Sequence, residues 1–206
     1  MCIRDSYSTP CIFPHLEGKQ VVFSHSYEGV VGVDARTGKI LWQELPFGDH
    51  SQRAIGSPVT DGEILAAASG FTSGVKNLTV LTLGTEPTAI KELARLTRNV
   101  PHCPTPIILD DHLYLCTDKG ILSCVEAHTG KSVWAIRIGG EYYSSPICVN
   151  HTIICCDRDG NVRYVPASPS KPTFKTIETG LNITATPAIA RGMILFRSGN
   201  TLIAYK

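Results

Sequence analysis

The sequence predicts an all-β protein built from about five repeats of a four-stranded antiparallel sheet. Glycine and proline are abundant, with 18 and 13 of 206 residues, which favours many short elements over a few long helices. A Ser/Thr-Pro dipeptide followed by apolar residues also recurs along the chain. Successive prolines lie 48, 48, 40 and 41 residues apart, a period typical of four-stranded propeller blades. The dipeptides are Thr9-Pro10, Ser57-Pro58, Thr105-Pro106, Ser145-Pro146 and Thr186-Pro187.

The first two repeats follow this scheme with different regularity. In the first, a turn at Glu28-Gly29 precedes the apolar strand 30–34, and Thr37-Gly38-Lys39 turns the chain toward another strand at Leu41-Trp42. In the second, the Gly/Ser-rich residues 69–74 predict a longer loop. Residues 90–97 have some helical spacing, but we interpret them as a strand because their place in the repeat requires one.

The third repeat shows the unit most clearly. The apolar run 107–109 and the strand 112–117 come first, and the turn Asp118-Lys119-Gly120 follows, with glycine supplying a positive φ. A third strand covers 121–125 and a fourth covers 132–136. Short β-rich runs divided by turn signals are the pattern of all-β proteins.

The last two repeats are less complete. The fourth keeps a turn at 157–160 but loses the Thr-Gly-Lys turn, and the fifth offers strands at 194–196 and 202–205 without a fourth strand. Blades arranged radially bury their apolar faces against one another. We therefore predict a partial β-propeller whose last blade is incomplete.

Two segments carry a family resemblance. DARTGKILW at 34–42 is echoed by EAHTGKSVW at 126–134, and the pattern resembles the repeat of pyrroloquinoline-quinone (PQQ)-like β-propellers from about Ser8 to Lys206. The family includes quinoprotein alcohol dehydrogenases and a non-enzymatic periplasmic lipoprotein of outer-membrane protein assembly. The chain looks most similar to non-catalytic, secreted bacterial members. Family members close with seven or eight blades, so the resemblance implies an incomplete ring.

The domain prediction follows from this resemblance. Residues 7–206 form one incomplete domain of PQQ-like repeats. Residues 1–6 lack the apolar region of a signal peptide, and we interpret them as an adaptor-derived scar at the head of an N-terminally truncated chain.

Charge and hydropathy exclude two classes of partner. The net charge is +1 and the basic residues are spread singly, which excludes a dominant nucleic-acid footprint. No apolar run approaches the ~18 residues of a membrane-spanning helix.

The first candidates for a cofactor site are Trp42, Trp134 and the pair Cys155-Cys156. Either indole could stack on a planar cofactor, but the resemblance implies that tryptophans at this position pack between blades. Methanol-dehydrogenase-type quinoproteins carry an adjacent-cysteine disulfide over the cofactor. Adjacent Cα atoms are ~3.8 Å apart, below the ~4.4–6.8 Å of ordinary disulfides, and successive strand side chains point to opposite faces. We therefore predict two buried thiols on opposite faces.

The sequence also contains a candidate metal loop and a candidate surface site. Residues 157–161 (DRDGN) resemble the start of a calcium loop, but the twelfth position is Ser168 rather than an acidic residue, so we predict a hairpin. No cysteines form a C-x-x-C pair and no histidine has a ligand-like spacing from them, which predicts no zinc site. Tyr142 and Tyr143 form either a binding surface or a packing contact. The sequence thus predicts no catalytic, cofactor-binding or metal-binding residue.

The leading functional prediction is a non-catalytic scaffold that binds a protein partner, with no cofactor, metal or nucleic acid. The resemblance implies a periplasmic or secreted location. A fragment of a PQQ- and calcium-dependent quinoprotein alcohol or sugar dehydrogenase is the first alternative, and a carbohydrate-binding propeller is the second.

Overall fold

The strands pair in five sheets of consecutive antiparallel strands. The structure is a computed structural model that describes residues 6–15, 18–47, 53–70 and 75–206. Within these ranges it contains strands, turns and bends but no helix. Four sheets have four strands and the fifth has three, which confirms the predicted all-β architecture with an incomplete last blade.

Each sheet is one blade, numbered here in chain order. Blade 1 contains β1 (Cys11–His15), β2 (Gly18–His25), β3 (Gly29–Asp34) and β4 (Ile40–Glu44); blade 2 contains β5 (Val59–Thr60), β6 (Ile64–Gly70), β7 (Lys76–Leu83) and β8 (Ile90–Leu96); blade 3 contains β9 (Ile107–Leu109), β10 (His112–Cys116), β11 (Ile121–Glu126) and β12 (Ser132–Arg137); blade 4 contains β13 (Ile147–Val149), β14 (Thr152–Cys156), β15 (Asn161–Pro166) and β16 (Lys175–Glu178); blade 5 contains β17 (Ala188–Ala190), β18 (Met193–Ser198) and β19 (Thr201–Tyr205).

Blade 2 contains both of the segments whose structure was ambiguous in the sequence. The segment interpreted as a strand rather than a helix is β8. The predicted loop at 69–74 begins later than expected, because Ser69 and Gly70 pair with Asn77 and Lys76 as the end of the β6–β7 hairpin. Residues 71–74 of that loop, and residues 1–5 of the predicted scar, lie outside the described ranges.

The residues that define the repeat also link the blades. The first strands of neighbouring blades contact each other, β1 with β5 and β5 with β9. Just before these strands, the backbone N–H of each of the first four repeat hydroxyl residues donates to the side-chain oxygen of the next one. The bonds run from Thr9 to Ser57 (3.0 Å), Ser57 to Thr105 (3.0 Å), Thr105 to Ser145 (3.0 Å) and Ser145 to Thr186 (2.9 Å). We call this chain of bonds the hydroxyl relay.

The apolar cores lie between blades. In β10, Leu113 and Leu115 belong to the cluster shared with blade 2, whereas Tyr114 and Cys116 belong to the cluster shared with blade 4. This alternation follows from the period of two in a strand. The second and third strands of blades 2, 3 and 4 are therefore buried on both faces. A fully buried leucine-sized side chain contributes about 1.5–3 kcal/mol.

Both tryptophans pack between blades, as predicted. Trp42 and Trp134 are buried in the clusters between blades 1 and 2 and between blades 3 and 4. The Trp42 indole N–H donates to Gln20 Oε1 at 2.6 Å, and the Trp134 indole N–H donates to the carbonyl of Ser168 at 2.8 Å. A Cβ at Gly32 would lie 2.1 Å from the Trp42 ring, so this position has room only for glycine.

The adjacent cysteines also follow the strand pattern. Cys155 packs toward blade 3 and Cys156 packs toward blade 5, and both thiols are free and buried. This confirms the prediction of two thiols on opposite faces of one strand.

Candidate functional site

One end of the molecule gathers the most distinctive polar side chains. In an up-and-down blade, the turn between the second and third strands lies at the same end as the linker to the next blade. Around blades 3 and 4 this end consists of residues 97–106, 117–120, 138–146 and 157–160. We call it the linker face.

Linker 138–146 folds directly over the turn of blade 3. The N–H groups of Ile138 and Tyr142 donate to the carbonyls of Gly120 (2.9 Å) and Asp118 (3.0 Å). Gly120 has φ +72°, and a Cβ there would lie 2.3 Å from the carbonyl oxygen of Gly139. This close approach fixes the linker on the blade, so its outward side chains stand on a rigid support.

The two linker tyrosines have different roles, which the sequence could not separate. The side chain of Tyr142 is 0% exposed, whereas Tyr143 is 51% exposed. The Arg163 guanidinium donates to the Tyr142 hydroxyl oxygen at 2.7 Å, and burial raises the pKa of the Tyr142 phenol. Tyr142 is a packing residue, and Tyr143 is available for binding.

A buried ion pair supports this linker from below. Asp157 is completely buried and lies 2.7 Å from Nη1 of Arg163. It also accepts the backbone N–H groups of Asp159 (3.0 Å) and Asn161 (2.9 Å). Burial alone would raise the pKa of Asp157, but hydrogen bonds from Arg163 and Asn161, with that from Arg163 the strongest, hold the pKa below its usual value. The carboxylate thus organises the turn, in keeping with the predicted hairpin.

Tyr143 lies in an exposed cluster that combines an aromatic ring with charges. The Arg158 guanidinium lies 4.8 Å from the centre of the Tyr143 ring, a cation–π geometry. Glu141 pairs with Arg158 at 3.3 Å and also accepts a hydrogen bond from Lys119. We call Lys119, Glu141, Tyr143 and Arg158 the Tyr143 cluster. Tyrosine and arginine are the residue types that most often dominate protein–protein binding energy.

A second cluster occupies the equivalent place between blades 2 and 3. Asp118 is the second residue after β10, and it accepts the N–H groups of His102 (3.0 Å) and Cys103 (2.9 Å). The Lys76 ammonium lies 2.8 Å from Asp118 Oδ2. Side-chain ligand atoms of His102, Cys103 and Asp118 all lie within 4.8 Å of one another. We call these four residues the Cys103 cluster.

The prediction of no zinc site was based on the linear spacing of cysteines and histidines, and the structure brings together a group that this spacing does not indicate. Linker 97–106 folds over the end of β10 and places His102 and Cys103 on Asp118. The adjacent His-Cys pair was the available signal. It was missed because the third residue lies 15 positions away from Cys103 and is joined to it only by tertiary structure.

Charge states in the Cys103 cluster follow from its burial. Burial, together with the charge of Asp118, raises the pKa of the Cys103 thiol to about 11. Burial also lowers the pKa of His102. For Asp118 burial would raise the pKa, but hydrogen bonds from Lys76 and the Cys103 N–H outweigh it and the pKa is lowered. Near neutral pH the cluster therefore contains a thiol, an uncharged imidazole and a carboxylate paired with an ammonium.

The central part of the chain matches a known protein family. Residues 91–169 match the family model described as outer membrane protein assembly factor BamB. Over these residues the match confirms the predicted resemblance to PQQ-like repeats. The matched segment contains both clusters of the linker face apart from Lys76. No curated protein sequence matches the chain at a significant level.

Solved structures establish the propeller fold. BamB from Moraxella catarrhalis aligns over 96% of this chain with 16% identity and a TM-score of 0.68. Saccharomyces cerevisiae Sqt1 aligns over 94% with 10% identity and a TM-score of 0.69, and the β-propeller domain of Myceliophteria thermophila Cps50 (Swd1) aligns over 95% with 14% identity and a TM-score of 0.62. The chain spans 61%, 58% and 69% of these chains, respectively. Among the described residues, no helix has the length and apolar character needed to cross a membrane.

Proposed function

We propose that this chain is a non-catalytic scaffold that binds a protein partner through the Tyr143 cluster. The observation that carries the proposal is the contrast within one linker. Tyr143 is half exposed beneath Arg158, while Tyr142 beside it is locked into the buried network of Arg163 and Asp157.

This arrangement reduces the entropic cost of binding. A side chain that is already ordered loses less freedom when a partner arrives. The Tyr143 ring is held by Arg158, and Arg158 is held in turn by Glu141. With two cations and one carboxylate in the cluster, a partner surface with an apolar pocket and an acidic rim fits best.

The likeness to BamB supports a related role. The matching family model and structure carry the names outer membrane protein assembly factor BamB and BamB. By analogy, the partner is a component of outer-membrane protein assembly, and the site of action is periplasmic or extracellular. Likeness at the level of the fold supports this proposal, and the partner itself is to be identified by experiment.

The test is site-specific photo-crosslinking in a bacterial host that contains the natural partner. A photo-reactive residue at position 143 should yield one discrete crosslinked protein, and Arg158→Ala in the same chain should weaken that band. The matched control carries the residue at Ile40, which is also well exposed but follows the turn at the opposite end of blade 1. Equal bands from both positions, or none from 143, would contradict the proposal.

The enzymatic alternative predicts a different result. A quinoprotein dehydrogenase should reduce a dye with alcohols or sugars after reconstitution with PQQ and calcium. Turnover under these conditions would replace the scaffold proposal.

A further inference from the structure

The Cys103 cluster has a geometry that the scaffold function does not use. We propose that Cys103, His102 and Asp118 form a binding site for a zinc-type divalent cation, and that Lys76 is the cation that the metal displaces. This inference is independent of the protein-binding proposal.

The distances between the ligand atoms are close to those of a metal site. Zinc binds cysteine sulfur at ~2.3 Å and histidine nitrogen at ~2.0–2.1 Å, so two tetrahedral ligands lie roughly 3.3–3.8 Å apart. Cys103 Sγ already lies 3.8 Å from His102 Nδ1. All three ligand atoms fall within 4.8 Å of one another, so a small side-chain adjustment brings them to a common centre.

The surroundings hold the ligands in place. Asp118 and His102 are buried, and Cys103 is half buried. The N–H groups of His102 and Cys103 orient the Asp118 carboxylate, in the way that outer hydrogen bonds orient metal ligands. A groove of about 410 Å³ has Lys76 and Thr117 in its lining, so the Lys76 ammonium has open space beside it.

Charge balance explains why Lys76 matters. Its ammonium is the cation that now neutralises Asp118, and its side chain is partly exposed to solvent. When Zn²⁺ binds, the neutral imidazole donates a lone pair, the Cys103 thiol loses its proton to solvent, and the Lys76 ammonium leaves Asp118 for the groove. The thiolate and carboxylate then balance the two charges of the metal.

The experiment uses Co²⁺ as the probe on the full chain. A cobalt ion bound by a thiolate gives a sulfur-to-metal charge-transfer absorption, and tetrahedral cobalt gives visible bands. We expect both signals to saturate at one ion per chain and to disappear when Zn²⁺ is added.

Variants assign the signal to individual residues. Cys103→Ser should remove the charge-transfer band. Cys11→Ser is the matched control, because Cys11 is also a half-buried thiol whose pKa burial raises to about 11, and it should keep the band. Lys76→Met should tighten cobalt binding by roughly tenfold, the order of effect seen when groups around metal ligands change.

Three results would overturn the inference. These are the absence of a thiolate band in the unmodified chain, a band that survives Cys103→Ser, and weaker cobalt binding by folded Lys76→Met. If Lys76→Met does not fold, the comparison of Cys103→Ser with Cys11→Ser decides the question by itself.

Discussion

The buried Asp157–Arg163 pair allows a quantitative test of how the linker face is supported. In Asp157→Asn the side chain keeps its shape but loses its charge. Its new NH₂ group faces either the Arg163 guanidinium and the Asn161 amide, which both donate to Oδ2, or the backbone N–H groups of Asp159 and Asn161, which donate to Oδ1. The substitution therefore leaves a buried guanidinium without its counter-ion.

The expected cost follows from the burial of both partners. The side chains of Arg163 and Asp157 are 10% and 0% exposed, and removing one partner of such a pair costs about 3–5 kcal/mol. For a chain of this size each kcal/mol lowers Tm by about 2–4 °C, so the loss should be roughly 6–20 °C. Because the pair is coupled, Asp157→Asn combined with Arg163→Met should cost less than the sum of the single substitutions.

The assays are thermal unfolding, which gives Tm, and equilibrium unfolding in urea, which gives the free energy of unfolding, each followed by tryptophan fluorescence and circular dichroism. Glu141→Gln is the control, since it removes an exposed carboxylate from the same face and should leave the unfolding midpoint unchanged. If Asp157→Asn behaves like Glu141→Gln, the pair is solvated and our account of the rigid linker is wrong.

Three further predictions concern the turns, the hydroxyl relay and acid stability. Gly120 and Gly38 both have φ +72°, so alanine at either position adds a backbone strain of about 1–2 kcal/mol. Only at Gly120 would the new Cβ also meet a carbonyl, because the space at Gly38 is open. Gly120→Ala should therefore lower Tm in thermal unfolding clearly more than Gly38→Ala, and equal decreases in Tm would contradict the close approach. Thr105→Val removes the acceptor of the Ser57 N–H and should lower the free energy of unfolding, measured in urea, by about 1 kcal/mol or more. An unchanged free energy of unfolding would mean that this bond contributes nothing to stability. The folded-state pKa of Asp118 lies below its unfolded value, so its stabilising effect is present above about pH 4 and is lost as the pH falls through the folded-state pKa. Asp118→Asn should therefore make unfolding less sensitive to acid below pH 4, and parallel curves would refute this assignment.

The fold was predictable because its signals are local and repeated. The Ser/Thr-Pro dipeptide gave the period, and turns such as Asp118-Lys119-Gly120 gave the strand boundaries within blade 3. Even the ambiguous segment 90–97 was assigned correctly, since its position in the repeat outweighed its helical spacing.

The candidate sites were less predictable because linkers have no periodicity. Nothing in the order of Tyr142 and Tyr143 indicates which ring is buried; the difference arises from Arg163 on the neighbouring blade. The Cys103 cluster likewise depends on three separate segments, with Lys76 42 positions before Asp118. Such sites become visible only when the register between neighbouring blades is known.

The hydroxyl relay also bears on how such proteins change in evolution. The bonds have nearly the same length although the hydroxyl residues are separated by 48, 48, 40 and 41 positions. Differences in the length of a repeat therefore leave the hydrogen bond between neighbouring hydroxyl residues unchanged. The three middle units, which begin at Ser57, Thr105 and Ser145, each offer the same donor to one side and the same acceptor to the other. A gene segment encoding such a unit can therefore be duplicated or lengthened without redesign of the adjoining units.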